Sequence, residues 1–135
     1  MSTHPDGVTW GSPTMAHALK ALMISIQSPR RDEGPSLGAW RWTVRQRMAA
    51  VRDALLAENG STSDGWLAAR GGTAFRERNT LLERLAELGS RVLQDVDVAT
   101  VRGEIARLVT DVSHHVQRVN DLAYDEVEME LGGSE

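Results

Sequence analysis

Apolar residues recur every three or four positions over most of residues 36–131, which is the period of an amphipathic α-helix. No proline interrupts this part of the chain, and Ala, Leu, Arg and Glu are frequent in it, so local propensity agrees with the period. The pattern predicts three long helices, over about Leu37–Glu58, Ala74–Leu93 and Val98–Leu131. Residues that cap or stop helices set these boundaries: Asn59 and Gly60, Thr73, Asp97, and Gly132 with Gly133.

Each predicted helix carries one apolar stripe that would face a common core. In the first helix the stripe consists of Leu37, Trp40, Val44, Met48, Val51 and Leu55. In the second helix it consists of Phe75, Leu81, Leu82, Leu85, Leu88 and Val92. In the third helix steps of four and three alternate over three heptads, through Val101, Ile105, Leu108, Val112, His115, Val119 and Leu122. This spacing keeps one helix face against a partner helix over its whole length.

The third helix is predicted to be much longer than the other two. At about 1.5 Å per residue it would extend roughly 50 Å, whereas the first two helices would extend about 30 to 33 Å. Its apolar stripe is therefore expected to reach past its neighbours. Either an N-terminal helix or a second copy of the chain would then cover the excess.

Residues 1–35 differ from the rest because they contain all four prolines. They are expected to form a flexible segment or one short helix over Thr14–Ile26, and residues 36–135 the bundle domain. Between the first two long helices, Ser63 and Asp64 are expected to cap a single turn that carries Trp66 and Leu67. The predicted fold is all-α, an antiparallel three- to four-helix bundle with a long C-terminal helix.

The composition narrows the classes of function. A chain of 135 residues has the size of one domain, and a net charge of -4 argues against a globally basic nucleic-acid coat. Without cysteine there is no disulfide, no thiol nucleophile and no iron–sulfur cluster. No apolar stretch is long enough for a membrane span, and a cytoplasmic location is expected by default. We identify no cofactor motif and no catalytic set, so the sequence predicts no enzyme.

Histidine is the softest metal ligand available, and His114 and His115 lie next to each other on the third helix. Asp111 is three and four residues before them, a spacing that brings helix side chains together. One hypothesis is a metal or small-ligand site at Asp111, His114 and His115. The competing interpretation is that Asp111 holds a seam histidine, His115, while His114 is solvated. A third is a pH-sensitive contact of His115 across a dimer. Glu77 and Glu83 are the nearest inward carboxylates on other helices, with no histidine beside either in the sequence.

Charge is divided unevenly along the chain. Residues 1–60 have a net charge of +2 and residues 61–135 a net charge of -6. Arg41, Arg45 and Arg52 share one face of the first long helix, with Trp42 beside them. This group could pair with the acidic third helix, bind an acidic protein partner or, as an alternative, contact nucleic acid. Trp42 is either an interface anchor or is covered by the N-terminal segment.

Together these patterns predict a non-enzymatic interaction or assembly module. It would self-associate, as a dimer, through the overhanging third helix. It would bind an unknown protein partner through Arg41, Trp42, Arg45 and Arg52 or through the acidic end from Asp121 to Glu135. The alternatives are a metal- or small-ligand-binding bundle and a nucleic-acid-binding regulator.

Overall fold

The computed structural model describes residues 13–27, 35–57 and 72–133, with side chains as far as Asp121. Apart from one short turn, these residues are helical, and no strand occurs among them. The helices are α1 (Pro13–Gln27), α2 (Pro35–Ala57), α3 (Gly72–Gln94) and α4 (Val98–Gly133). The predicted helices are all present, with bounds that differ by two residues or fewer. The expected turn around Trp66 and Leu67 lies outside the described residues.

The four helices form an all-α bundle in which α1 packs against α2 and α4, and α3 packs against the same two helices. Their inner faces build one hydrophobic core. The predicted stripes of α2 and α4 supply about half of the buried apolar residues: Trp40, Val44, Met48, Val51, Leu55, Val101, Ile105, Leu108, Val112 and Val119. The short N-terminal helix is part of this core, because Met15, Leu22 and Ile26 are almost fully buried in it. The bundle therefore has four helices in the described part of the chain.

Prolines and caps explain where the helices begin. Pro13 and Pro35 occupy the first positions of α1 and α2, where a missing backbone N–H costs nothing. Asp97 caps α4 as predicted, because its carboxylate accepts hydrogen bonds from Thr100 N at 3.1 Å and Thr100 Oγ1 at 2.8 Å. Only Asp95, Val96 and Asp97 separate α3 from α4, so these two helices are antiparallel neighbours.

The inner face of α3 differs from the predicted stripe. Phe75 and Leu82 are half-buried, whereas Arg78 and Gly89 are buried. Phe75 instead presents its ring to the guanidinium of Arg78, 5.1 Å from the ring centroid. Gly89 is buried because the Arg45 side chain of α2 packs directly over it, with Nε 3.3 Å from where a β-carbon would be. A period of apolar residues alone cannot detect buried positions of these two residue types.

Trp40 joins three helices near one end of the bundle. Its indole Nε1 donates a hydrogen bond of 2.9 Å to the carbonyl of Ser25 on α1. The guanidinium of Arg102 on α4 lies over the indole, 5.3 Å from the ring centroid. Because the end of α1 and the start of α2 meet here, these two helices are also antiparallel.

Candidate interaction surfaces

A ladder of ion pairs runs along the contact between α3 and α4. Each helix contributes one charged residue per heptad, and each pair lies seven residues along both helices from the next. The pairs are Arg91–Glu104 (Nη1–Oε1 2.6 Å), Arg84–Asp111 (Nη1–Oδ2 2.8 Å) and Glu77–Arg118, in which Arg118 Nε also lies 3.2 Å from Glu77 Oε1. We call these six residues the α3–α4 ladder. It fixes the antiparallel register of the two helices.

The ladder disfavours neighbouring registers because its polarity reverses at the last pair. A slip of one heptad in one direction would place Glu77 opposite Asp111, and a slip in the other direction would place Arg84 opposite Arg118. Either slip creates a pair of like charges, which is destabilising. Partly exposed ion pairs contribute only about 0.2 to 1 kcal/mol each. Their main effect here is therefore on register. In the sequence, the register is indicated by the seven-residue repeat of charges on both helices, which the period of apolar residues does not contain.

This register shows how far α4 extends beyond its neighbour. Continuing the ladder by its own step places Gly72, the first residue of α3, level with Ala123. Residues 124–133 of α4 therefore lie beyond the start of α3, over about 15 Å at 1.5 Å per residue. We call residues 124–133 the α4 extension. It continues α4 as one uninterrupted helix.

The α4 extension and the residues before it are strongly acidic. Residues 121–133 contain Asp121, Asp125, Glu126, Glu128 and Glu130 and no basic residue. Their sequence also contains apolar residues at helical spacing, Ala123, Val127 and Leu131. The sequence of this end of α4 is therefore strongly negative and also contains apolar residues at helical spacing.

His115 lies inside the bundle and is bound by a carboxylate from the opposite helix. Its side chain is fully buried, and its Nδ1 donates to Oε1 of Glu77 on α3 over 2.9 Å. The expected bond from Asp111 to His115 is wrong, because the Asp111 carboxylate turns outward to Arg84. No histidine lies near Glu77 in the sequence, and the fold brings His115 of α4 to it. The spacing of four residues along α4 would allow Asp111 to contact His115, but the His115 side chain points towards α3.

Glu77 is the most connected carboxylate of the described residues. Partial burial acts to raise its pKa, but the hydrogen bonds and charges of Arg118 and His115 outweigh this effect and hold the pKa below its usual value. Glu77 is therefore ionised at neutral pH. An ionised carboxylate requires a proton on Nδ1 of His115, which fixes that nitrogen as the donor.

The residues of the metal hypothesis do not come together. Asp111 is bound to Arg84, His114 is exposed, and His115 is buried against Glu77. In the residues that the structure describes, no group of three or more His, Asp or Glu side chains could hold a metal ion. The geometry thus offers no metal centre at Asp111, His114 and His115.

Arg41 acts within the bundle. Its Nη1 donates to the carbonyl of Val92 at 2.9 Å and its Nη2 to the carbonyl of Asp95 at 2.8 Å. Both carbonyls lie at the C-terminal end of α3, where the helix leaves such groups without internal partners. Arg41 therefore fastens the start of α2 to the end of α3 and presents little of its charge to a partner.

The remaining predicted surface residues lie along the outer side of the α2–α3 pair. Trp42 is 57% exposed, so no described segment covers it. Arg45 is half-buried over Gly89, and Arg52 is exposed and lies 3.6 Å from Asp53. A groove of about 360 Å³ passes between the two arginines, lined by Arg45, Met48, Ala49, Arg52, Leu85 and Ala86. We call it the α2–α3 groove.

Comparisons with protein-family models, with curated proteins and with solved structures found no match. Among the described residues, no helix combines the length and the apolar character needed to cross a bilayer. Function is therefore argued from the surfaces described above.

Proposed function

We propose that the protein is a non-enzymatic assembly module that self-associates through the α4 extension and presents the remaining surface to a protein partner. One observation carries the proposal: α4 continues about 15 Å beyond the start of α3. We place the module in the cytoplasm. Disulfides are rare there, and this chain contains no cysteine.

The contrast between the two parts of α4 supports this proposal. From Val101 to Val119 its seam positions are buried inside the bundle, so the apolar face of this part is covered within a single chain. The sequence of the α4 extension keeps apolar residues at helical spacing, and an amphipathic helix gains stability when its apolar face is covered. A second chain supplies that cover in the proposed assembly.

The chemistry of the polar residues supports a non-enzymatic role. The charged side chains of the α3–α4 ladder bind one another and hold the helices in register, and Arg41 binds backbone carbonyls. His115, the one buried histidine among the described residues, is held by Glu77 inside the core. These groups perform structural work in the bundle.

Sedimentation velocity of the full chain at increasing concentration tests the proposal. We expect a concentration-dependent dimer that is weakened by the double variant V127E/L131E in the α4 extension. The matched control is V96E/A99E, which adds the same charge at exposed positions at the opposite end of α4. A wild-type chain that sediments as a monomer at every concentration contradicts self-association. Equal dimerisation of both variants contradicts the role of the α4 extension.

A further inference from the structure

We propose that the α2–α3 groove is the docking site for the acidic end of α4, residues 121–133, of a second copy of this chain. This inference rests on the proposed self-association and names the surface that receives the α4 extension. It follows from the charge of the two surfaces, from their spacing and from the direction of α4.

Charge excludes the simplest dimer, in which two α4 extensions pair with each other. Residues 121–133 carry five acidic residues and no basic one, so such a dimer would place two strongly negative segments in contact. Like charges at close range are unfavourable in an interface. The receiving surface should therefore be basic and partly apolar.

The α2–α3 groove has these properties. Its lining includes two arginines and no acidic residue, and within the described part of the chain Arg45 takes part in no ion pair. Ala49 and Ala86, which also line the groove, have small side chains that leave room for the side chains of an approaching helix. The same two helices also carry exposed apolar side chains: Trp42 (57% exposed) and Leu56 (38%) on α2, and Leu93 (40%) on α3.

The residues of this surface follow helical spacing. On α2, steps of three and four connect Trp42, Arg45, Ala49, Arg52 and Leu56, which places them on one side of the helix. Arg45 and Arg52 are seven residues apart, about 10.5 Å along the axis. In the acidic end of α4, Asp121 and Glu128 are also seven residues apart, with Asp125 between them on the same side. Two helices lying side by side can thus match their charges.

The direction of α4 requires that the occupant come from another chain. Within one bundle, α4 packs between α1 and α3, whereas the groove lies on the outer side of α2 and α3. Because α4 continues as a single helix to Gly133, its end cannot fold back onto the groove of its own chain. In a second copy the groove is accessible, and two copies can exchange the same contact in a symmetric dimer.

A charge-exchange experiment on the full chain tests this docking. The double variant R45E/R52E reverses the groove, and D125R/E128R reverses the acidic end of α4. We expect each to weaken dimerisation roughly tenfold or more, and the quadruple variant to restore most of the loss, because opposite charges again face each other. The control R47E/R107E changes the net charge as R45E/R52E does, at exposed positions away from the groove, and should leave the dissociation constant unchanged.

The outcomes separate the docking site from the proposed function. A wild-type chain that stays monomeric overturns both. A dimer weakened by D125R/E128R but not by R45E/R52E overturns the groove and leaves the proposed function in place. Failure of the quadruple variant to restore dimerisation also overturns the pairing. If R45E/R52E lowers the helical circular dichroism signal, the milder variant R45Q/R52Q replaces it. We expect R45Q/R52Q to weaken dimerisation less than R45E/R52E and to make dimerisation less dependent on salt. A salt dependence of dimerisation equal to that of wild type then overturns the docking.

Discussion

Nδ1 of His115 donates a hydrogen bond to Oε1 of Glu77, and the same carboxylate receives the guanidinium of Arg118. His115 is fully buried, whereas Arg118 is about half exposed, so Glu77 connects the core to the surface. The three residues stand at the end of the α3–α4 ladder where its polarity reverses. This relationship leads to the first two predictions.

The free energy of unfolding should depend on pH through Glu77. The pKa of Glu77 is lowered in the folded state, so its ionised form stabilises the fold at pH values above the ordinary glutamate pKa of 4.5. That contribution is lost as the pH falls through the lower, folded pKa. We expect E77Q to be less stable than wild type at pH 7, with the difference shrinking below about pH 4. Urea unfolding of both proteins across this range measures it, and a difference that is constant with pH would contradict the prediction.

Replacing His115 should destabilise the bundle strongly. H115A removes a fully buried ring, leaves a cavity at a seam position and takes one hydrogen-bond donor from Glu77. We expect a loss of about 2 to 4 kcal/mol in the free energy of unfolding. The neighbouring variant H114A is the control, because His114 is exposed and its loss should change stability by less than about 0.5 kcal/mol. Similar effects of the two variants in urea unfolding would show that the placement of His115 is wrong.

Arg41 should contribute more to the free energy of unfolding than an exposed arginine of the same helix. R41A leaves the carbonyls of Val92 and Asp95 at the end of α3 without their guanidinium donors. We expect a loss of about 1 to 3 kcal/mol, as is typical for hydrogen bonds to a charged group. R47A removes an exposed arginine of the same helix and should be nearly neutral. Thermal unfolding followed by circular dichroism compares the two, and equal melting temperatures would contradict the assignment.

The α3–α4 ladder predicts a measurable coupling between Arg84 and Asp111. A double-mutant cycle with R84A and D111A should give a coupling energy of about 0.5 to 1 kcal/mol, since the pair is partly exposed. The exchanged variant R84D/D111R should recover most of the stability lost by either single reversal. A coupling near zero would mean that the pair does not fix the register.

Much of the fold could be predicted from the sequence, because the spacing of apolar residues and the residues that cap or end a helix are local signals. The stripe from Trp40 to Leu55 and the seam from Val101 to Val119 are buried as predicted, and Asp97 caps α4. These features depend on residues within one helix. The helix bounds therefore differ from expectation by two residues or fewer.

What the sequence did not predict depends on how helices face each other. The contact between His115 and Glu77 spans 38 residues of sequence, and Arg41 reaches carbonyls more than 50 residues away. The burial of Gly89 depends on the side chain of Arg45 on another helix. Only the register of α2, α3 and α4 decides these contacts. The seven-residue repeat of charges in α3 and α4 could have predicted the register of these two helices, but not that of α2.

Sedimentation equilibrium of the 135-residue chain over a range of concentrations shows whether it self-associates. We expect an average mass that rises from one chain towards two as concentration increases, and a smaller rise at high salt. A mass that stays at one chain throughout would contradict an assembly module built on the α4 extension.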